Sequence, residues 1–232
     1  IGAPIGLIIK NNDYKNWESK MPINKSNKKI KEITLPRPGH ADLAGIEKFN
    51  FTDIRNVIER SSARETAMRV ALASICRKLL KEFNIEVGSR VVQIHNIYDD
   101  SDISLDNGAK SISSKADRSE VRCINKIKTK EMIEIIDKAK KSGDSVGGKF
   151  EIFATGIPSG LGSYSQWFDR LQSKISESIM SINAIKGIEF SDAFKNSSKF
   201  GSQVHDEIGW DGTKYIRYTN NAGGIEGGIS NG

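Results

Sequence analysis

Cysteine is scarce in this sequence, with Cys76 and Cys123 as its only two, and neither has Cys or His neighbours at metal-ligand spacing. We therefore expect no metal site and no disulfide framework. Cys76 lies within an apolar helical pattern and is interpreted as a small core residue. No apolar run approaches the roughly 20 residues of a membrane-spanning helix, and the basic flank and cleavage site of a signal peptide are missing. These absences predict a cytoplasmic protein.

Charge is unevenly distributed between the two signs. The 232 residues include 35 Lys and Arg against 29 Asp and Glu, which gives a net charge of +6. Such an excess favours an anionic partner. The densest basic run, "KSNKKIK" at residues 25–31, has no aromatic residue for base stacking, so a solvated loop is favoured over a nucleic-acid interface. A phosphorylated small molecule suits the same charge.

Hydrophobic periodicity predicts interleaved strands and helices, hence an α+β or α/β protein. A possible capping box at Ser62 and Glu65 precedes a helix that reaches Phe83, and its many alanines predict a central, buried position. Residues 99–120 are predicted to be loop or weak structure. Two further helices are predicted at 129–143 and 165–182, and strands at 5–9, 90–98, 149–156 and 186–190.

The stretch "ERSSARET" has the composition of an anion site. Arg60, Ser61 and Ser62 are predicted to stand at a helix N-terminus, where free N–H groups, hydroxyls and a guanidinium bind phosphate. An ordinary helix cap is the alternative interpretation. Arg64 favours the anion site, because a cation near the positive end of a helix is locally unfavourable.

The stretch "PRPGHAD" holds a histidine on a stiff turn. Pro36 and Pro38 keep the backbone extended around Arg37, which places His40 beside an arginine and near Asp42. Histidine exchanges protons near neutral pH, so His40 is the acid–base candidate. The alternative is an ordinary surface histidine.

Two more segments allow a functional and a structural interpretation. Asn183 in "SINAIKG" either caps a helix or contacts a ligand. The glycines of "NNAGGIEGGISNG" either form a flexible linker or let the backbone approach a flat ligand closely. Ile225 and Ile229, at regular spacing among those glycines, favour the second interpretation.

Together, "RPGHAD", "RSSARETAMRVA", "SINAIKGIEF" and "NNAGGIEGGISNG", with "GDSVGG" and "GIPSGLG" between the second and third, closely resemble chorismate synthase. The resemblance runs over essentially the whole chain. It implies an α+β fold, a β-α-β sandwich with long helices between antiparallel sheets, in a homotetramer. It also implies 1,4-anti elimination of phosphate from 5-enolpyruvylshikimate 3-phosphate with reduced FMN, in the shikimate pathway, and possible use of NADPH as reductant.

Carried over by motif, the resemblance assigns roles to individual residues. His40 matches the histidine that protonates reduced flavin, and Arg37 and Arg64 match arginines that meet the anionic substrate. The matching FMN contacts are Arg60, Ser61, Ser62, Asn183, Ala184 and Gly227.

The sequence departs from the family pattern at both ends and at one internal position. The family's opening "GESHG" segment and its later "RSD" segment are not found, so we expect a single core domain over residues 1–232, truncated at both ends, with impaired catalysis. We also expect poor ordering of the closing glycine segment. Ser191 stands where the family reads Gly in "IEFG". The alternative function is a non-catalytic basic fragment that binds anionic ligands or RNA.

Overall fold

A computed structural model describes residues 2–24 and 30–232, so most of the basic loop expected at residues 25–31 lies outside the described residues. The α+β class is confirmed by helices that alternate with small antiparallel sheets. The helices are α1 (Asp42–Phe49), α2 (Arg55–Ser61), α3 (Thr66–Glu82), α4 (Ala109–Ala116), α5 (Lys126–Ser142), α6 (Leu171–Met180) and α7 (Ala193–Asn196). The strands are β1 (Glu86–Ile94), β2 (Ile97–Tyr98), β3 (Gly148–Thr155), β4 (Ile208–Trp210), β5 (Tyr215–Arg217), β6 (Ile225–Glu226) and β7 (Ile229–Ser230).

The chain divides into two compact units. The first comprises Ile1–Ser74 with Ile179–Lys186, and the second comprises Ile75–Ser178 with Gly187–Gly232. The single core domain expected from the sequence stays a prediction. Among the described residues, no helix is both long enough and apolar enough to cross a membrane.

The first unit is built around the α1–α2 pair. Ile54 and Val57 are its buried apolar side chains. Gly45 of α1 faces the Val57 side chain so closely that a Cβ at this position would collide with it. Glycine therefore sets the approach of these two helices.

The second unit contains a three-stranded antiparallel sheet in the order β2-β1-β3 and two separate hairpins, β4-β5 and β6-β7. Helix α4 packs against β1, where the Ser89 amide donates to the Ser113 hydroxyl at 3.2 Å. Met132 of α5 and Ile112 of α4 are among the buried apolar residues. Gly143 ends α5 in the left-handed conformation, as its position after the last helical residue predicts.

Several predicted elements differ in the structure. No strand forms at residues 5–9 or 186–190, and residues 99–120 contain helix α4. The strand predicted over 90–98 is a hairpin, because the chain turns at His95, whose φ is 53°. The third helix covers only Leu171–Met180 and follows a 3-10 turn at Trp167–Asp169. Short apolar runs carry too little periodic information to resolve such breaks.

The prediction that α3 is central and buried is wrong. None of its residues is buried, Leu72 is 54% exposed and Leu79 is 61% exposed. Cys76, predicted to be a core residue, is exposed for the same reason. Helical spacing of apolar residues identifies which face of a helix is apolar, but it does not supply the surface that covers that face.

Candidate functional site

The turn that carries His40 is held by an ion pair between Arg37 and Asp42. The Arg37 Nε and Nη2 atoms donate to the two Asp42 carboxylate oxygens at 2.9 and 3.1 Å, and the Arg37 amide donates at 3.0 Å. Asp42 is fully buried, whereas the Arg37 side chain is 47% exposed. A bidentate pair fixes the orientation of the guanidinium plane. The remaining guanidinium N–H groups stay available to an anion.

The charge of Asp42 is strongly stabilised by this arrangement. Hydrogen bonds from the Arg37 side chain and backbone outweigh burial and lower the pKa of Asp42 from 3.8 to about 2. The same contact raises the pKa of Arg37. The pair therefore stays ionised over the whole physiological pH range.

His40 follows Gly39, whose φ of 73° makes the tight turn, and its side chain is exposed. Its Nδ1 lies 3.0 Å from the Pro38 carbonyl oxygen. A carbonyl oxygen only accepts hydrogen bonds, so Nδ1 carries the hydrogen. Proton exchange with any ligand is thereby assigned to Nε2.

Arg60 and Ser61 do not stand at a helix N-terminus, contrary to the sequence prediction. They form the last turn of α2, and the Ser61 hydroxyl donates to the Val57 carbonyl at 2.8 Å. Only Ser62 begins the next turn, where its hydroxyl accepts from the Arg64 amide at 3.3 Å. Ser62 has ψ 132°, which ends α2 and separates it from the following 3-10 turn and α3. The sequence predicts a helix start at Ser62 but no helix before it, so α2 was missed.

Arg64 meets carboxylate and amide oxygens from its own chain. Its Nη1 lies 3.3 Å from Asp13 Oδ2 and its Nη2 lies 2.6 Å from Asn11 Oδ1. The Arg64 side chain is still 62% exposed. Its position near a helix start therefore has a local explanation in Asp13, although exposed ion pairs of this kind are weak.

Asn183 joins two segments that are far apart in sequence. Its Nδ2 donates to the Ser61 carbonyl oxygen at 3.0 Å across 122 positions. The next residue, Ala184, has φ 67°, an uncommon left-handed conformation for a residue with a Cβ. Arg69 supports the same junction, since its Nη1 donates to the Ser181 hydroxyl at 2.7 Å while its Nε contacts Glu65.

Gly227 lies in the second unit, in the two-residue turn between β6 and β7. Gly227 and Gly228 have φ of 61° and 106°, which the tight hairpin requires. A Cβ on Gly227 would meet nothing within 4 Å, whereas one on Gly228 would collide with Ser163 and Arg170. Gly227 thus leaves open space beside its backbone, and Gly228 is needed for close packing.

The closing glycine segment forms a hydrogen-bonded hairpin, and the poor ordering expected from the sequence stays a prediction. Buried Ser230 donates its hydroxyl to the Pro158 carbonyl at 2.6 Å and accepts from the Leu161 amide at 2.9 Å. Arg217 also contacts Glu226 and the Asn231 carbonyl, at 2.6 and 2.9 Å. The two Ser230 hydrogen bonds attach the segment to "GIPSGLG", a motif to which sequence analysis assigned no partner.

Sequence analysis missed the supporting residues of both units. Arg69 and Ser230 lie within quoted motifs but were given no role, Asp206 lies outside every motif, and the partners of all three lie at distant positions. Their polar side chains within or next to recognised motifs are the only available signal. Among the described residues, no cluster of His, Cys, Asp and Glu is suited to hold a metal ion.

Comparison with known proteins gives one consistent result. The family model described as chorismate synthase matches residues 1–232. The chorismate synthase of Alkaliphilus metalliredigens is 51% identical over 235 residues, and that of Aquifex aeolicus is 46% identical over 239 residues. Each alignment covers 100% of this chain and 60% of the relative, so the chain spans about 60% of the length of these proteins.

A solved structure agrees with the sequence relatives. The protein described as "Crystal Structure of Chorismate Synthase" superposes with a TM-score of 0.77 at 47% identity, covering 83% of this chain and 59% of that chain. The chain belongs to the chorismate synthase family.

Proposed function

We propose that this chain contributes to chorismate synthesis, the 1,4-anti elimination of phosphate from 5-enolpyruvylshikimate 3-phosphate with reduced FMN. Family membership supports the reaction class, a carbon–oxygen lyase of aromatic amino acid biosynthesis. The observation that carries the proposal is the Asn183–Ser61 hydrogen bond. It joins two segments that the family resemblance assigns to the same cofactor.

The residues at this junction suit a phosphate-bearing ligand. The exposed Arg60 side chain has no hydrogen-bond or ion-pair partner among residues 2–24 and 30–232, so its guanidinium is available. Ser62 accepts from the Arg64 amide, and its own hydroxyl hydrogen remains free to donate. We infer that Arg60, Ser61, Ser62, Asn183 and Ala184 hold FMN. The motif match assigns an FMN contact to Gly227 as well, and the open space beside its backbone suits that role.

When bound, reduced FMN supplies an electron transiently to the substrate, without net redox change. His40 would hold or move a proton at Nε2, because Pro38 fixes its Nδ1 hydrogen. Arg37 would meet an anionic substrate group with the N–H donors that Asp42 leaves unused. Both roles require that the charged groups are in place and oriented before the ligand binds. The Arg37–Asp42 pair provides this, because it holds the turn and the guanidinium plane.

Arg64 is proposed as a second contact to the anionic substrate. Its present partners, Asp13 and Asn11, are exposed, so exchanging them for a substrate oxygen costs little. A cytoplasmic homotetramer, with NADPH as a possible reductant and without nucleic-acid or membrane partners, completes the proposal.

A flavin titration tests the proposed cofactor site. Fluorescence of FMN is followed as protein is added, for the native chain and for Arg60→Ala. We expect saturable binding by the native chain and about tenfold weaker binding by the variant, as for loss of one charge-assisted hydrogen bond. Arg118→Ala is the matched control, because Arg118 is an exposed arginine with no assigned role. Salt-sensitive RNA binding without FMN binding would instead support the non-catalytic alternative.

Turnover is tested separately under anaerobic conditions. Purified chain, reduced FMN and substrate are mixed, and chorismate formation is followed by absorbance. We expect turnover below that of a complete family member, and lower still for His40→Ala. Equal turnover of H40A and the native chain would remove His40 from the proton-transfer role.

A further inference from the structure

Within the second unit, the stretch that leads into the glycine segment is held by a buried carboxylate, Asp206. This residue is 8% exposed and lies outside every motif described above. Its Oδ1 accepts from the Thr219 hydroxyl at 2.5 Å and from the Asn221 amide at 2.6 Å. Its Oδ2 accepts from the Ala222 amide at 2.9 Å.

All three donors belong to the short stretch 219–222, which leads into the glycines. Backbone amides bound by a carboxylate cannot rotate independently, so Asp206 fixes both the position and the direction of the chain entering Gly223. Gly223 has φ 65°, and a Cβ there would lie 2.9 Å from the Ser191 Cβ. The entry to the segment therefore tolerates little displacement.

The charge of Asp206 persists in spite of its surroundings. Burial by itself raises its pKa. Hydrogen bonds from the Thr219 hydroxyl and from the Ala222 and Asn221 amides lower the pKa by more than burial raises it, so the pKa stays below its usual range. Ionised carboxylates make stronger hydrogen bonds to N–H groups than neutral acceptors do. The Asp206 carboxylate is thus an anchor for this stretch at all pH values near neutrality.

The far side of the same segment is anchored independently. Ser230 binds Pro158 and Leu161. Gly227 lies between the two anchors, with open space beside it. The Leu171 amide also donates to the carbonyl oxygen of the neighbouring Gly228 at 2.8 Å, so contacts on both sides of Gly227 define the path of its backbone.

We propose that Asp206 is a positioning residue for cofactor binding, which acts by holding residues 219–222 so that the Gly227 backbone is presented to FMN. This inference rests on the proposed function, because it requires that Gly227 contacts the cofactor. Asp206 itself touches no cofactor in this scheme. Its effect passes through the backbone that its carboxylate holds.

The test compares Asp206→Asn with Asp211→Asn. Asp211 is a matched control because its carboxylate also accepts three hydrogen bonds, from the Thr213 amide, the Thr213 hydroxyl and the Lys214 amide, but in the β4-β5 turn. In D206N the new NH2 group faces an N–H donor, since the carboxylate faces donors on both oxygens. Two quantities are measured for each variant, amide hydrogen exchange at 221 and 222 and the FMN dissociation constant from saturable titration.

We expect D206N to exchange both amides at least about tenfold faster and to raise the FMN dissociation constant about tenfold, as for the loss of a charge-assisted hydrogen bond. D211N should leave both quantities within about twofold, as is usual for surface substitutions. Thr219→Val, which removes one donor and keeps the carboxylate, should give a smaller increase in the dissociation constant. The number of binding sites separates positioning from misfolding, because misfolding lowers that number without changing the dissociation constant of the molecules that remain folded.

Each contrary outcome has a distinct meaning. Faster exchange in D206N with an unchanged dissociation constant would overturn the positioning role and leave the proposed function intact. Unchanged exchange would show that Asp206 does not hold the stretch, which overturns the inference on structural grounds alone. Absence of FMN binding by the native chain would refute the proposed function and this inference with it.

Discussion

Replacing Ser191 by glycine should stabilise the protein. Ser191 has φ 55°, a left-handed conformation that is costly for a residue with a Cβ, and its hydroxyl makes no hydrogen bond within the described residues. Glycine adopts this backbone conformation without that cost. The strain relieved is about 1 to 2 kcal/mol.

Part of this gain in stability is offset by backbone entropy. Glycine has more backbone freedom in the unfolded chain, and losing that freedom on folding costs about 0.5 to 1 kcal/mol. The expected net effect of Ser191→Gly is a free energy of unfolding higher by about 0.5 kcal/mol, and a midpoint temperature higher by about 1 to 2 °C. Urea titration followed by circular dichroism measures the first quantity, and thermal unfolding measures the second.

Two variants isolate the cause. Ser197, with φ −60°, has no strain to relieve, and its hydroxyl donates to the Phe194 carbonyl at 2.7 Å, so S197G should lower the free energy of unfolding by about 1 to 2 kcal/mol. Ser191→Ala removes the hydroxyl and keeps the strain, so it should change stability by less than about 0.5 kcal/mol. If S191G is as destabilising as S197G, the argument from backbone strain is wrong.

Three further outcomes are expected. Met132 is fully buried, so Met132→Ala should lower the free energy of unfolding by about 2 to 5 kcal/mol in urea titration. Ser230→Ala should cost about 1 to 3 kcal/mol, because the Leu161 amide loses its acceptor in a buried setting. The pKa of Asp42 is lowered to about 2 from 3.8, so its contribution to stability is present above pH 3.8 and is lost as pH falls through about 2.

Each of these has a control. Met180 is 44% exposed, so Met180→Ala should cost less than the change at Met132. Ser165, an exposed serine, serves as the alanine control for Ser230. Asp42→Asn should remove part of the decline in stability between pH 4 and pH 2, and an identical acid limb in this variant would contradict the role given to the carboxylate.

The accuracy of the sequence-based predictions depended on the length of the pattern. Helix α5 and strand β3 were predicted nearly to their ends, because each has a sustained apolar period and a glycine at its boundary. Strands at 5–9 and 186–190 were wrong, since a few apolar residues form a strand only if a neighbouring strand supplies hydrogen-bond partners.

The predictions about the candidate site also differ in outcome. Motifs identified the family, and the profile and sequence relatives confirm it. The roles assigned to His40, Arg37, Arg64 and the FMN contacts stay predictions. The placement of Arg60 at a helix start was wrong, because a second helix, α2, ends directly before the break at Ser62 and was not predicted.

The sequence by itself determined the family, the α+β class and the type of each functional side chain, because these depend on residue identity and local spacing. Only the tertiary structure decided that Asn183 reaches Ser61, that Asp42 orients Arg37 and that Asp206 holds the glycine segment. The physical reason is that a hydrogen bond over many positions depends on how the intervening chain packs. Local sequence specifies the donor and the acceptor, and the fold brings them to bonding distance.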